Sequence, residues 1–494
     1  MNHLYDMSNT MATSGTGTTC LEYLQILTAQ DTTKISKKRK KELGQYMTPS
    51  QTASYMAKIL LEGNLKREIK ILEPSIGSGF LLAAIADEVL AKHRSLEKLS
   101  VTAFEVDTRL ISTILQLEAY ISKKFSESNI KFSLFLNIED FLLSNPNHKY
   151  DYIITNPPFF KIKKNDPRAT VHKDIVHGQP NIYGLFMARC SSQLMPLGRA
   201  CFLTPRSWTS GLYFTKLRQK LFGLLKIYAI HLFECREAPF SNERIQQESM
   251  ITWLEKSNEP REKIALSFSN GALDIGQGIC RLADPEEVLP PTETCTLVIG
   301  RKKRSFPQNL DLTLLDIGLK TSTGKVVPFR CKESLRSAET QSTAPLYWMQ
   351  HVLPMKLYWP ANIKLEHIEV SSKTLKLSVP ADNYVLVRRF SPNDLDNHVI
   401  ATPLIQLGAE RVYIENHINY IYKTDSSLTS FEAIGLAIYI NSQLVCDYFS
   451  ERLGHTQINA SDLNNLPCPT LEVLSQIGFL HSNNKNLCLE TLLS

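Results

Sequence analysis

Tyr150-Asp151-Tyr152-Ile153-Ile154-Thr155, followed at once by Asn156-Pro157-Pro158-Phe159, reads as a buried strand that stops in a rigid loop. The strand is mostly aromatic and β-branched, and a Pro-Pro pair cannot continue a ladder. Each proline fixes its own φ and restricts the residue before it, so the loop's acceptors are set in advance. Such a loop suits methyl transfer to a planar amine. The lone pair of an exocyclic amine, such as that of adenine, is delocalised into the ring; an acceptor on each hydrogen draws the nitrogen towards a pyramidal nucleophile. Asn156 offers a side-chain carbonyl, Pro157 a backbone carbonyl with no competing N–H, and Phe159 a ring to stack on the base. Acceptors that need no ordering in the transition state are the source of the expected rate gain. Taken alone, Asn-Pro-Pro is a turn that closes a strand, and the rest of the chain decides between the two readings.

Upstream, Ile69 to Leu72 reads as another short buried strand and runs into Glu73-Pro74-Ser75-Ile76-Gly77-Ser78-Gly79-Phe80, followed by an apolar helix-like run from Leu81 to Leu90. Strand, glycine turn and helix form a nucleotide-cofactor plan, with Gly77 and Gly79 allowing positive φ and close backbone approach to a ligand. The glycine spacing is not the dinucleotide fingerprint, and no Gly-Lys-Ser/Thr is present for a triphosphate. Leu99 to Phe104 is a further strand candidate, ending at Glu105, whose carboxylate can accept from both hydroxyls of a ribose. One strand later, Asn137-Ile138-Glu139-Asp140-Phe141 sets a carboxylate beside an aromatic. That pair suits the amino group and the face of an adenine ring. Acidic residues at successive strand ends, in this order, are hard to explain as separate solvated charges.

With these parts in place, the chain resembles an adenine-specific, S-adenosylmethionine-dependent DNA methyltransferase in the gamma arrangement found with type II restriction and modification systems. Gly44-Gln45-Tyr46-Met47-Thr48-Pro49 is similar to the cofactor motif that comes first in that arrangement. The Glu73 turn and the Asn156 loop follow in the family's order. The resemblance implies that Thr48 meets the methionine carboxylate, that Glu73, Pro74, Gly77 and Gly79 surround the methionyl part, and that Glu105 binds the ribose. It also implies that Asp140 and Phe141 hold the adenine of the cofactor, and that Asn156, Pro157, Pro158 and Phe159 are the catalytic motif. Phe159 departs from the commoner Tyr, which keeps the stacking and loses any phenol hydrogen bond. Phe240, in Ala238-Pro239-Phe240-Ser241, matches an aromatic that packs on the flipped base from the other side.

The fold expected is α/β: a Rossmann-like, seven-stranded and mostly parallel methyltransferase sheet with helices on both faces, and a smaller C-terminal mixed α+β target-recognition domain. Gly198 to Pro205, Ile227 to Leu232 and Ser249 to Leu254 read as strands, and the last two suit an antiparallel hairpin. After Leu289-Pro290-Pro291 the βα alternation is lost, with strands expected over Tyr384 to Phe390 and Arg411 to Ile414 and a helix over Phe431 to Phe449. The expected division is a tail over 1–33, a catalytic domain over 34–289 and a recognition domain over 290–494. A chain of 494 residues, 43% of them hydrophobic, has enough material for two or three cores.

The net charge of +6 favours a polyanionic partner, here double-stranded DNA, and its clustering is more telling than the total. Basic runs lie at Lys37 to Lys41, at Lys161, Lys163 and Lys164 just past the loop, and at Arg301 to Arg304. Arg388 and Arg389 are the candidates for contacts to DNA in the recognition domain. The ten cysteines are scattered with no Cys-x-x-Cys, so neither a metal nor a disulfide framework is expected. No stretch approaches a membrane span and the start has no apolar signal run, so a cytoplasmic monomer is expected. The function expected is methylation of adenine N6 at a specific duplex site, with the base flipped into the pocket, protecting DNA from a cognate endonuclease. Two alternatives remain: a methyltransferase for another planar amine or amide, such as a guanine in RNA or a protein glutamine, and a protein that reads DNA without catalysis.

Overall fold

The computed structural model describes residues 17–30, 47–144 except 94, 148–235 except 177 and 179, 248–302, 310–390 except 364, 399–405, 410–453 and 457–483. The chain divides into two compact units, residues 1–302 and 303–494. Leu297 and Ile299 belong to the first unit's core, and the Arg218 guanidinium donates to the Thr294 carbonyl at 2.8 Å. The first unit therefore runs past the Pro290-Pro291 pair at which the sequence suggests a division.

The first unit is a twisted sheet between two helical layers. Its strands are β1 (Glu68–Glu73), β2 (Lys98–Phe104), β3 (Lys131–Asn137), β4 (Tyr150–Thr155), β5 (Leu194–Pro205), β6 (Lys226–Phe233), β7 (Ser249–Glu255), β8 (Ile264–Ser269) and β9 (Cys280–Ala283). They lie in the order β3-β2-β1-β4-β5-β7-β6-β8-β9. From β3 to β5 all pairs are parallel, while β7 runs antiparallel to both β5 and β6. The seven expected strands are β1 to β7. Two more extend the sheet at the β6 edge, where β8 pairs parallel to β6 and β9 antiparallel to β8.

Helices α1 (Cys20–Gln30), α2 (Ser50–Leu60), α3 (Phe80–Lys92) and α4 (Ile111–Glu127) contribute Leu24, Met56, Leu82 and Leu117 to the core on one face. The short α5 (Pro167–Val171) follows the Asn156 loop. On the other face α6 (Ile182–Ser192) and α7 (Thr215–Leu224) contribute Phe186 and Leu221. Because β1 feeds α3 and returns as β2, while β4 pairs on its other side, the strand order reverses between β1 and β4. Open α/β sheets bind ligands at such a switch, beyond the carboxyl ends of the strands.

The second unit is mixed α+β. A four-stranded antiparallel sheet takes Leu319–Thr323, Ile418–Lys423, Tyr384–Arg388 and Ala401–Leu404 in that order; a five-stranded sheet includes Thr343–Tyr347 and Arg411–Ile414. Helices Ser430–Ile440 and Leu471–Ser482 cross where Gly435 meets Gly478. A Cβ at Gly435 would fall 1.7 Å from the Leu474 carbonyl oxygen, and one at Gly478 2.0 Å from that of Phe431. The single helix expected over Phe431 to Phe449 is two helices, Ser430–Ile440 and Gln443–Arg452. Asn441 spends its amide on Ala401 and Ala437, and Ser442 caps the second helix by accepting from Val445 N. Side-chain bonds to the backbone replace helical ones there.

Candidate active site

The cleft lies at the carboxyl ends of β1, β2 and β4. It encloses about 1150 Å³ counting its open mouth, and Thr48, Glu73, Gly77, Glu105, Asp140 and Asn156 all line it. β1 delivers Glu73, and the turn after it is held by two backbone bonds, Ile76 N to Phe104 O and Gly79 N to Ile76 O, both 3.0 Å. Gly77 and Gly79 have φ of 57° and 95°, which L side chains adopt with difficulty. Gly79 is the residue before α3 and sits against Leu117, whose Cδ2 would lie 2.6 Å from an added Cβ. It shapes the turn without lining the cleft.

Glu73 is 1% exposed, and neither carboxyl oxygen has a hydrogen-bond partner among the described residues. Burial, with the charge of Glu105 added, holds its carboxyl well above the usual carboxylate range. Glu105 is satisfied differently: it accepts from Gly77 N at 2.9 Å, Val106 N at 2.9 Å and Asp107 N at 2.8 Å. Burial raises this carboxyl too, and the three backbone donors pull it part of the way back. A carboxylate has about four acceptor sites, so Glu105 keeps capacity towards the cleft.

At the other end, Asp140 accepts from Leu142 N at 2.9 Å and lies 3.7 Å from Arg168 Nη1. Phe141 forms wall and core together, at 5.2 Å from Phe104 and 5.4 Å from Phe186 between ring centroids. Arg168 and Phe160 also line the cleft, and neither stood out in the sequence as a site residue. Pro167 opening a short helix after Asp166 was the available signal.

The Asn156 amide Nδ2 donates to Thr48 Oγ1 at 3.0 Å, which fixes the amide plane and directs Oδ1 the other way. Ser75 Oγ bonds Thr155 Oγ1 at 2.8 Å and donates to the Asn156 carbonyl at 3.2 Å, tying the glycine turn to the Asn-Pro-Pro loop. Pro157 is buried, and Pro158 lines the cleft. Phe159 is half-buried, edge-on to Tyr183 at 6.1 Å and packed against the cores of both faces. Of the Phe159-Phe160 pair it is Phe160 that borders the cleft. Phe240, Gly44 to Tyr46 and the Lys37 to Lys41 run lie outside the described residues.

Lys161, Lys163 and Lys164 are exposed on the segment between the loop and α5, where Lys161 bridges to Asn181. In the second unit Arg388 Nε donates to the Val352 carbonyl at 2.6 Å, and Arg389 Nη1 to that of Asn416 at 2.7 Å. Burial lowers both guanidinium groups from their usual range. Both therefore spend donors on holding the second unit together.

The sheet order, the reversed β7 and the acidic cleft at the switch point define an S-adenosylmethionine-dependent methyltransferase. The family model described as "Eco57I restriction-modification methylase" matches residues 49–240. The type II methyltransferase M.PstI of Providencia stuartii is 30% identical over 459 residues, covering 88% of this chain and 89% of its own. M.BsuBI of Bacillus subtilis is 29% identical over 476 residues, 92% of this chain and 94% of its own. Among solved structures, the type IIL restriction-modification enzyme MmeI in complex with DNA matches with a TM-score of 0.53 at 13% identity, over 96% of this chain and 70% of that one; this likeness concerns the fold. The chain belongs to the Eco57I family of restriction-modification methylases. Among the described residues, no helix is long and apolar enough to cross a membrane.

Proposed function

We propose that this protein methylates N6 of adenine within a specific site of double-stranded DNA, as the modification activity of a restriction and modification system. The observation that carries this reading is the Asn156 amide. It is oriented by Thr48 in the cleft that Glu73, Glu105 and Asp140 also line.

S-adenosylmethionine supplies an electrophilic methyl group when bound. The buried, unpartnered carboxyl of Glu73 suits the ammonium of the methionyl part, since a buried acid without a partner is costly until a cation faces it. Glu105 would take the ribose hydroxyls and Asp140 the adenine amino group, with Phe141 and Phe160 along the ring. Thr48, beside Asn156, would meet the methionine carboxylate. At the reacting nitrogen, Asn156 Oδ1 and the Pro157 carbonyl accept one hydrogen each, so positive charge developing on nitrogen meets fixed dipoles. Phe159 and Phe240 would stack on the flipped base. Lys161, Lys163 and Lys164 would meet phosphates, an attraction that carries no sequence information. Residues 303–494 would supply the groove contacts, with Arg388 and Arg389 as weaker candidates because of their carbonyl bonds.

The test is plasmid DNA incubated with the protein and radiolabelled S-adenosylmethionine. The plasmid is then challenged with a panel of methylation-sensitive endonucleases, and its nucleosides are identified by mass spectrometry. Label in N6-methyladenine with protection at one recurring site is expected. Label in cytosine, or in transfer RNA or protein in preference to DNA, would overturn the reading.

A further inference from the structure

We propose that Tyr183 is a positioning residue for methyl transfer: anchored by its hydroxyl to the turn after β5, it sets the direction of the Phe159 ring. The inference rests on the reading that Phe159 stacks on the flipped base, and it adds a residue behind that ring which does not itself line the cofactor cleft.

A phenyl ring has no hydrogen-bonding group, so its direction is set by what packs against it. In this chain the hydroxyl stands one ring further back, on Tyr183. The Tyr183 and Phe159 rings meet with centroids 6.1 Å apart and planes at 89°, the T-shaped arrangement that aromatic pairs favour. Tyr183 is fully buried, and its hydroxyl bonds Ser207 Oγ at 2.9 Å, in the short helical turn Arg206–Thr209 that follows β5. Phe214 stacks on the same ring at 5.5 Å, with the planes 23° apart. Gly184 keeps that space open, since an added Cβ would lie 3.2 Å from Leu217 Cδ2 and 3.4 Å from Phe214 Cε1. The backbone joins the two segments as well. Ile182 N donates to the Phe160 carbonyl and Ile162 N to that of Pro180, both at 3.0 Å. Phe159 and Tyr183 are the next residues at one end of this short antiparallel ladder.

A ring held in this way presents one orientation to an incoming base, and the reacting nitrogen is placed by that base. Methyl transfer is sensitive to such placement, since an error of about 1 Å can cost ~10² in rate. A tyrosine that only filled the core would matter equally whatever side chain stood at position 159. One that acts through Phe159 loses its influence once that ring is gone, so the two effects fail to add.

The experiment measures single-turnover methylation of plasmid DNA by the full chain with radiolabelled S-adenosylmethionine. Tyr183→Leu, Tyr183→Phe and Ser207→Ala are each made with Phe159 intact and again with Phe159→Ala. Calorimetry with S-adenosylhomocysteine and a melting transition accompany every variant. With Phe159 intact, Tyr183→Leu should slow methylation by about tenfold or more. Tyr183→Phe, which keeps the ring and loses only the bond to Ser207, should recover most of that loss and stay about threefold slow, as should Ser207→Ala. S-adenosylhomocysteine affinity should stay within about threefold throughout, and in the Phe159→Ala chain all three changes should alter the rate by less than about twofold. If Tyr183→Leu does not fold, Tyr183→Phe and Ser207→Ala, which cut the same bond, carry the test. Equal losses with and without Phe159, or a rate unchanged by every folded variant that keeps Phe159, would overturn the inference. A normal rate for Phe159→Ala itself would instead sink the stacking reading on which it rests, so the two failures are distinguishable.

Discussion

Glu73→Gln separates the charge of this buried acid from its shape. In the free protein the carboxyl is 1% exposed, without a hydrogen-bond partner among the described residues, and raised well above its usual range by burial and by Glu105. The unfolded chain would hold it near 4.3, so folding favours the protonated form. Its contribution to stability is therefore complete below about pH 4 and is lost as pH rises through the raised folded value. Gln cannot ionise, so the free variant should melt above the unaltered protein at pH 8, with the two converging towards pH 5. The ligand's ammonium reverses this preference. Cofactor binding should release a proton at Glu73, and affinity should tighten as pH rises towards the raised value. Losing a hydrogen bond to a charged group costs about 1.5–3 kcal/mol, and stranding one member of a buried ion pair about 3–5 kcal/mol. At about 1.4 kcal/mol per decade, the dissociation constant of S-adenosylhomocysteine should rise by about 100-fold. Calorimetry in two buffers of different ionisation enthalpy measures both affinity and proton release, and thermal melting across pH 5–8 measures the stability arm. Affinity within threefold of the unaltered protein, or binding with no proton released, would refute the pairing of Glu73 with a cation.

Asn156→Ala should leave S-adenosylhomocysteine affinity within about threefold while single-turnover methylation falls by ~10² or more, because the lost acceptor matters as the amine becomes cationic; near-normal turnover would remove Asn156 from the chemistry. Gly79→Ala should destabilise the first unit by about 1–2 kcal/mol in denaturant titration, through its φ of 95° and the contact with Leu117. Gly77→Ala should cost less, since its φ is 57° and a Cβ there meets nothing within 4 Å; the reverse order would contradict this account of the turn. A chain ending at Lys302 should keep S-adenosylmethionine affinity in calorimetry and lose site-specific protection of plasmid DNA, retaining only salt-sensitive DNA attraction. Full site-selective methylation by the shortened chain would place recognition in the first unit.

The features legible in the sequence are those whose physics is local. β1 and β4 are short runs centred on apolar residues, Ile71 and Leu72 in one and Ile153 and Ile154 in the other, each stopped by a proline just past its end, and those ends fix where Glu73 and Asn156 emerge. β8 was not among the expected strands, and it carries two polar residues, Ser267 and Ser269. Both are buried, and their hydroxyls lie 2.8 Å and 2.9 Å from the two nitrogens of His231, which burial keeps neutral by pushing its pKa down to about 3. Tyr55 of α2 completes that network through Ser267 at 3.0 Å. A polar residue in a strand is solvated or satisfied depending on partners 36, 38 and 212 positions away, and no local pattern carries that information. The same limit explains the pair Phe159 and Phe160. Both are half-buried and pack against the core of one face, and of the two Phe160 also borders the cleft, a difference that two identical letters cannot carry. Arg168 is the most consequential case. As a letter shortly after Lys161 to Lys164 it is one more charge in a basic stretch. Clamped by Asp166 and turned towards Asp140, it is instead a fixed cation in the cleft wall, an orientation that the letters do not encode.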